Sequence, residues 1–220
     1  MQLYLASTSP ARLATLRTAG VEPVVVPSKV DEDAAVAAAG ELTPEETVLL
    51  LARLKAEAVA AAGPDGFILD GFILGGDSVF ELDGVVYGKP HTASVARERW
   101  LLQRGRTGIL HSGHWLIDHR GGQAAGAAGA VSSARVTFAS DITDAELDAY
   151  IATGEPLQVA GAFTIDSLGA PFITAVDGDP HTVVGLSLST LRVLLRGFGV
   201  EWHELACWST APSGSPVVNT

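Results

Sequence analysis

The chain has 220 residues, 47% of them hydrophobic, and a formal net charge of -11. That length buries a sizeable core and fits a single domain with room for two lobes. Its acidic balance, with lysines and arginines scattered along the chain, provides no basic stripe, so no nucleic-acid partner is expected. A small anionic ligand remains compatible, because a few cations focused in a cleft outweigh the global field. Cys207 is the single cysteine, which rules out an internal disulfide and a cysteine-rich zinc site and fits a reducing cytoplasm. Met1 to Leu5 lacks a basic leader region, and Pro, Gly or charge interrupts each alanine-rich segment before it could span a bilayer. A cytoplasmic protein with no membrane association is therefore expected.

In chain order, Leu3 to Ala6 reads as a short strand. Ser9 fits an N-cap, Pro10 the first helical position and Gly20 the stop of a helix. Val24 to Val26 is a second strand, and Asp31-Glu32-Asp33 is expected in the loop after it. A long helix opens at the capping box of Thr43 and Glu46 and stops near Gly63. The repeated string from Gly66 to Gly75 is too short for a repeat architecture and reads as a strand entry with a bend at Asp70-Gly71. Phe72-Ile73-Leu74 then runs into Gly75-Gly76-Asp77-Ser78, so a buried strand delivers a carboxylate to its exposed end. In open α/β sheets ligands sit at that end.

A hairpin follows, turning at Asp83-Gly84 and ending at Lys89 beside Pro90, which ties a lysine to the acid. Thr92 to Gln103 is expected to be helical. Ile109 to Ile117 and Val131 to Ala139 read as strands joined across His119-Arg120-Gly121-Gly122. Thr143 and Glu146 box the start of another helix, which Gly154 closes. Pro171 to Val176 is a strand with a turn at Asp177-Gly178-Asp179, and a last helix spans about Ser189 to Gly197. Residues 1–211 are read as one α/β unit, and 212–220 as a disordered tail.

Several residues could carry chemistry. Ser7, Ser9 and Arg12 stand where a strand meets a helix N-terminus, a natural anion site, although Ser9 taken alone reads first as a plain helix cap. Glu32 and its acidic neighbours are either solvated charge or a source of a Mg²⁺ ligand. Lys55, among alanines and leucines, would ordinarily snorkel to water. His111 and His114 have a metal-like spacing, but on a strand they point to opposite faces. Gly84 to Pro90 is a near miss to a P-loop: one residue short, with no Ser/Thr after the lysine and no helix to open. Trp100, Trp115, Trp202 and Trp208 fit a core or an interface equally well.

Together these elements resemble the Maf family of nucleoside triphosphate pyrophosphatases. Ala6-Ser7-Thr8-Ser9-Pro10-Ala11-Arg12 is similar to its Ala-Ser-x-Ser-Pro-Arg-Arg opening, and Gly76-Asp77-Ser78…Gly88-Lys89-Pro90 to its Ala-Asp-Thr…Gly-Lys-Pro pattern. Gly154-Glu155-Pro156 with Ala160 to Phe163, and Val183-Val184-Gly185-Leu186, resemble two later blocks. The resemblance spans roughly residues 2 to 200 in consistent order, and four ordered blocks are far more specific than one. It implies a two-lobed, mixed-sheet α/β fold like that of inosine triphosphate pyrophosphatases, with the active site between the lobes. It also implies hydrolysis of a nucleoside triphosphate to the monophosphate and pyrophosphate with Mg²⁺ or Mn²⁺, and a possible homodimer.

By the same resemblance Asp77 is the catalytic acid and, with Glu32, a metal ligand. Ser7, Ser9, Arg12, Lys55 and Lys89 are phosphate-side residues, with Lys55 and Lys89 assisting catalysis. Four departures stand out: Ala11 for arginine, Ser78 for threonine, Gln158-Val159 for an Asp-Lys pair, and Asp166 for glutamine. The last turns a donor-acceptor amide into an acceptor. These departures resemble an actinobacterial branch, and because Ala11, Ser78 and Asp166 fall where the family sets substrate choice, its thymidine/uridine preference does not carry over, with Ser78 and Asp166 as substrate-binding positions. Two other readings are a nucleotide-binding regulator of septum formation with little catalysis, and a hydrolase of other nucleotide pyrophosphates.

Overall fold

Phe72 to Leu74, an apolar run followed by paired glycines, opens a long central strand that both halves of the molecule share. The computed structural model describes residues 1–62 and 70–206. Within them a mixed sheet forms from β1 (Leu3–Ala6), β2 (Val24–Val25), β3 (Phe72–Leu82), β4 (Val85–Tyr87), β5 (Thr107–Asp118), β6 (Gly126–Phe138) and β7 (Ile173–Asp177). The strand order is β2-β1-β3-β5-β6-β7, with β4 paired to β3 outside that path. β1 runs parallel to β2 and β3, and the remaining pairs are antiparallel. The helices are α1 (Pro10–Thr18), α2 (Glu32–Ala39), α3 (Pro44–Ala62), α4 (Ala93–Gln103), α5 (Asp144–Ala152), α6 (Pro180–Val184), α7 (Leu188–Gly197) and α8 (Trp202–Leu205).

The register of β3 creates the cleft. β1 accompanies β3 only as far as Ala6 opposite Gly75, and β4 joins it only from Tyr87 opposite Phe80. Between those points, Gly76 to Val79 has a strand neighbour on the β5 side alone. One lobe lies on each side of this gap. In the first, the pleat sends Leu5, Leu74 and Leu116 towards α1 and α7, and Tyr4, Ile73 and Ile117 towards α3. The second is built on Trp100, whose ring meets Phe138 and Tyr150 edge-on at 5.4 and 5.7 Å. Its Nε1–H donates to the Ala162 carbonyl at 2.7 Å, so the buried indole is satisfied. The two-lobed mixed-sheet α/β architecture is the one expected.

Local signals are met where they were read. Ser9, Thr92 and Thr143 cap α1, α4 and α5, and Thr43 and Glu46 bond reciprocally at the start of α3. Asp83 and Gly84 have φ of 54° and 78°, as the tight hairpin requires. Three expectations need correction. Asp31 to Asp33 is not loop: Asp31 accepts from the Ala34 N–H and starts α2, which places Glu32 in a first turn. α6 is an additional turn of helix that Asp179 caps, and α8 follows the helix expected to be last. The proposed strand entry from Gly66 to Leu69, Cys207, Trp208 and the tail from 212 to 220 lie outside the described residues. No described helix is long and apolar enough to cross a membrane.

Candidate active site

Asp77 projects from the gap in β3 towards α3, and two glycines determine how near that helix comes. A Cβ at Gly75 would lie 2.0 Å from the Ala52 carbonyl oxygen, and one at Gly113, paired with Asp77, 2.2 Å from that of Val48. Only bare backbone admits α3 so close. Helical side chains lean towards the N-terminus, so Lys55, three residues beyond Ala52, reaches back to Asp77. Its Nζ lies 2.7 Å from Asp77 Oδ1 and 2.8 Å from Glu32 Oε1. Lys55 therefore does not snorkel: it is 7% exposed and joins two carboxylates. Burial pushes the Asp77 carboxyl above its ordinary range, against the opposing pull of Lys55 and Arg12.

On the other face of β3, Arg12 folds back from the first turn of α1 over Gly76, where a Cβ would stand 3.2 Å from its Nε. Its Nε donates to the Gly185 carbonyl (2.8 Å), Nη1 to Ser7 Oγ (3.1 Å) and Nη2 to Ser78 Oγ (3.0 Å). Ser78, Ser112 and Ser132 stand in one row across β3, β5 and β6. Ser112 Oγ–H donates to the Thr182 carbonyl at 2.9 Å, so its contact with Ser78 Oγ at 2.8 Å has Ser78 as donor. Burial lowers the Arg12 pKa from its ordinary value, while Asp77 and Glu32 hold it up. Arginine stays charged throughout.

The expected residues separate into two sets. Ser7, Arg12, Lys55, Asp77, Ser78 and Glu32 converge at the gap. Ser9 serves as the α1 cap, its Oγ accepting from the Arg12 N–H at 3.4 Å. Lys89 stands two residues beyond the end of β4. It is exposed and makes no hydrogen bond or ion pair among the described residues, whereas the lysine on Asp77 is Lys55. Arg99 and the Gly161 N–H instead hold the preceding Gly88 carbonyl, at 2.5 and 3.4 Å. Asp166 is exposed on a loop tied down by Glu155, which accepts from Thr164, Ser167, Leu168 and Gly169. No hydrogen bond joins Asp166 to the Asp77 cluster.

His111 and His114 diverge, as the pleat demands. His111 meets Ser133 Oγ at 2.8 Å and Glu81 at 3.2 Å on the α3 side, while His114 accepts from the Ser187 N–H on the other. The His-x-x-His spacing therefore cannot close on one ion. Among the described residues no group of three or more His, Cys, Asp or Glu is arranged to hold a metal. The donor pair at the cleft is Asp77 and Glu32, and no hydrogen bond among the described residues uses Asp77 Oδ2 or Glu32 Oε2. Two hard carboxylates, with ligand phosphates completing the shell, fit Mg²⁺ or Mn²⁺.

Sequence reasoning gave no role to Gly113, Ser112 or Thr182; it read Gly75 only as a strand end, His114 only against a metal site and Gly185 only as part of a family block. What these residues do here depends on what packs on them, which no local pattern records.

An α/β protein whose interlobe gap holds a buried acid, a lysine, an arginine and a row of hydroxyls is built for a phosphorylated ligand. The chain belongs to the Maf-like protein family, whose model matches residues 2–198. A protein of Leifsonia xyli subsp. xyli named nucleoside triphosphate pyrophosphatase is 67% identical over 215 residues, covering 96% of this chain and 98% of its own. Proteins of the same name from Rhodococcus opacus and Rhodococcus jostii are 50% and 49% identical, over 96% and 94% of this chain and 97% and 96% of theirs. Among solved structures, the Staphylococcus aureus Ham1 protein has a TM-score of 0.47 at 15% identity, covering 90% of this chain and 100% of that one.

Proposed function

We propose that this protein is a nucleoside triphosphate pyrophosphatase: water attacks the α-phosphorus, the α–β phosphoanhydride bond breaks, and a nucleoside monophosphate and pyrophosphate leave. The observation that carries this reading is Asp77, buried in the gap of β3 with Lys55 at 2.7 Å and Arg12 on the adjoining face. A carboxylate raised in pKa by burial is a better base, so Asp77 takes the proton of the attacking water. Arg12 uses three of its five N–H groups on Ser7, Ser78 and Gly185, which leaves two for phosphate oxygens. Lys55, shared between Asp77 and Glu32, orients the acid and adds positive charge beside the leaving pyrophosphate. Lys89, exposed and unpaired among the described residues, would add a further positive charge to the same phosphates, a role supported by the match of Gly88-Lys89-Pro90 to the family pattern.

A divalent cation held by Asp77 and Glu32 would neutralise triphosphate oxygens and polarise the phosphorus under attack. The test is pyrophosphate release from a panel of canonical and modified nucleoside triphosphates with Mg²⁺ or Mn²⁺. Asp77→Asn should fold as the parent does by circular dichroism and lose about a thousandfold or more in rate. A fully active variant would remove Asp77 from the reaction. Nucleotide binding without release from any substrate would favour the regulator.

A further inference from the structure

Arg12 is held by the turn between α6 and α7, and that turn is held by a histidine. Gly185 bends there with φ of 110° and presents its carbonyl to Arg12 Nε at 2.8 Å. Leu186 is fully buried, and the next residue, Ser187, donates its backbone N–H to His114 Nε2 at 2.9 Å. A ring nitrogen that accepts a hydrogen bond carries no proton, so His114 is neutral with its hydrogen on Nδ1. Nδ1 is buried and makes no hydrogen bond among the described residues. His114 pairs with Gly76, the residue over which Arg12 lies, so a protonated ring would set a second cation close to the guanidinium. Asp179 steadies the same turn by accepting from Ser187 Oγ at 2.6 Å.

We propose that His114 is a positioning residue for Arg12: as a neutral acceptor of the Ser187 N–H, it fixes the Gly185 carbonyl and through it the guanidinium that receives the triphosphate. This rests on the reading of the cleft as a triphosphate site. His114 touches no substrate; it acts through two residues of backbone. An apolar replacement leaves the Ser187 N–H buried without an acceptor, and the turn must shift to reach one.

The test is a double-mutant cycle of His114→Leu with Arg12→Ala, read as kcat/KM for pyrophosphate release and as affinity for inorganic tripolyphosphate by calorimetry. His114→Leu should lower both about tenfold in the parent and leave both nearly unchanged once Arg12 is gone. His114→Gln, whose amide oxygen can still accept, should stay within about threefold of the parent. Equal losses in both backgrounds, or no loss in either, would overturn the proposal and leave His114 a plain core residue. If His114→Leu does not fold, His114→Asn, whose shorter amide falls short of Ser187, takes its place in the cycle. Parent protein that binds tripolyphosphate but releases no pyrophosphate would sink the enzymatic reading alone, because affinity still reads the cycle. Parent protein that binds no tripolyphosphate would overturn both.

Discussion

The two faces of β3 at the gap handle buried charge in opposite ways. Facing α3, Lys55 is compensated directly by two carboxylates at 2.7 and 2.8 Å. Facing α7, Arg12 is equally buried, yet every group it touches is neutral: two hydroxyls and a carbonyl. Desolvation weakens a buried charge unless dipoles or counter-ions replace water. The lysine therefore has its charge largely satisfied within the protein, and it draws the two acids together. The arginine is solvated by fixed dipoles and keeps an attraction for an incoming anion. On the proposed reading, one face sets up the base and the other receives the phosphate.

Acidification should break the Arg12 face first. Burial and the nearby Arg12 push the His114 pKa down from 6.5 to about 4, with Asp179 opposing. Between those values the unfolded chain binds a proton that the fold refuses, so stability is present above pH 6.5 and is lost as pH falls towards 4. The loss should reach about 3 kcal/mol, seen as a steeper fall in Tm with pH for the parent than for His114→Gln.

Breaking the opposite face, Lys55→Ala should lower kcat about a hundredfold. It should also move the acid limb of the pH–rate profile upward, because Lys55 is a pull that holds the Asp77 pKa down. A limb that stays in place would mean that Asp77 is not the titrating group.

Gly113→Ala sharpens the comparison by moving only α3. Its methyl would meet the Val48 carbonyl, so a destabilisation of about 2 kcal/mol is expected in urea unfolding. Tripolyphosphate affinity, which depends on Arg12, should fall less than turnover. The smallest effect belongs to Asp166→Gln, which should alter the ranking among triphosphates severalfold while leaving the rate with the best substrate within about threefold. An unchanged ranking would place Asp166 away from the base.

Much of this fold was legible before any coordinates because its signals are local. The caps at Ser9, Thr43, Thr92 and Thr143 act within a single helical turn. The Asp83-Gly84 turn needs only two positive φ angles, and strand parity sent His111 and His114 apart without reference to the rest of the chain. The motif at Asp77 was readable for the same reason, since apolar run, glycines and acid are consecutive.

Local reasoning went wrong where packing overrode a sound average. A lysine among alanines does usually reach water, and the hairpin does end at Lys89, but neither rule includes α3 descending onto bare glycines. Asp77 accepts from a lysine 22 residues away, and Arg12 is held by a carbonyl 173 residues away. By itself the sequence determined most strands, helices α1, α3, α4, α5 and α7 with their caps and turns, the acid at the gap and the family blocks. Tertiary structure alone decided that Lys55 rather than Lys89 meets that acid, and that a neutral His114 stands behind Arg12. The reason is that both depend on approaches between parts of the chain far apart in sequence: α3 onto the bare backbone of Gly75 and Gly113, and the Arg12 side chain over Gly76.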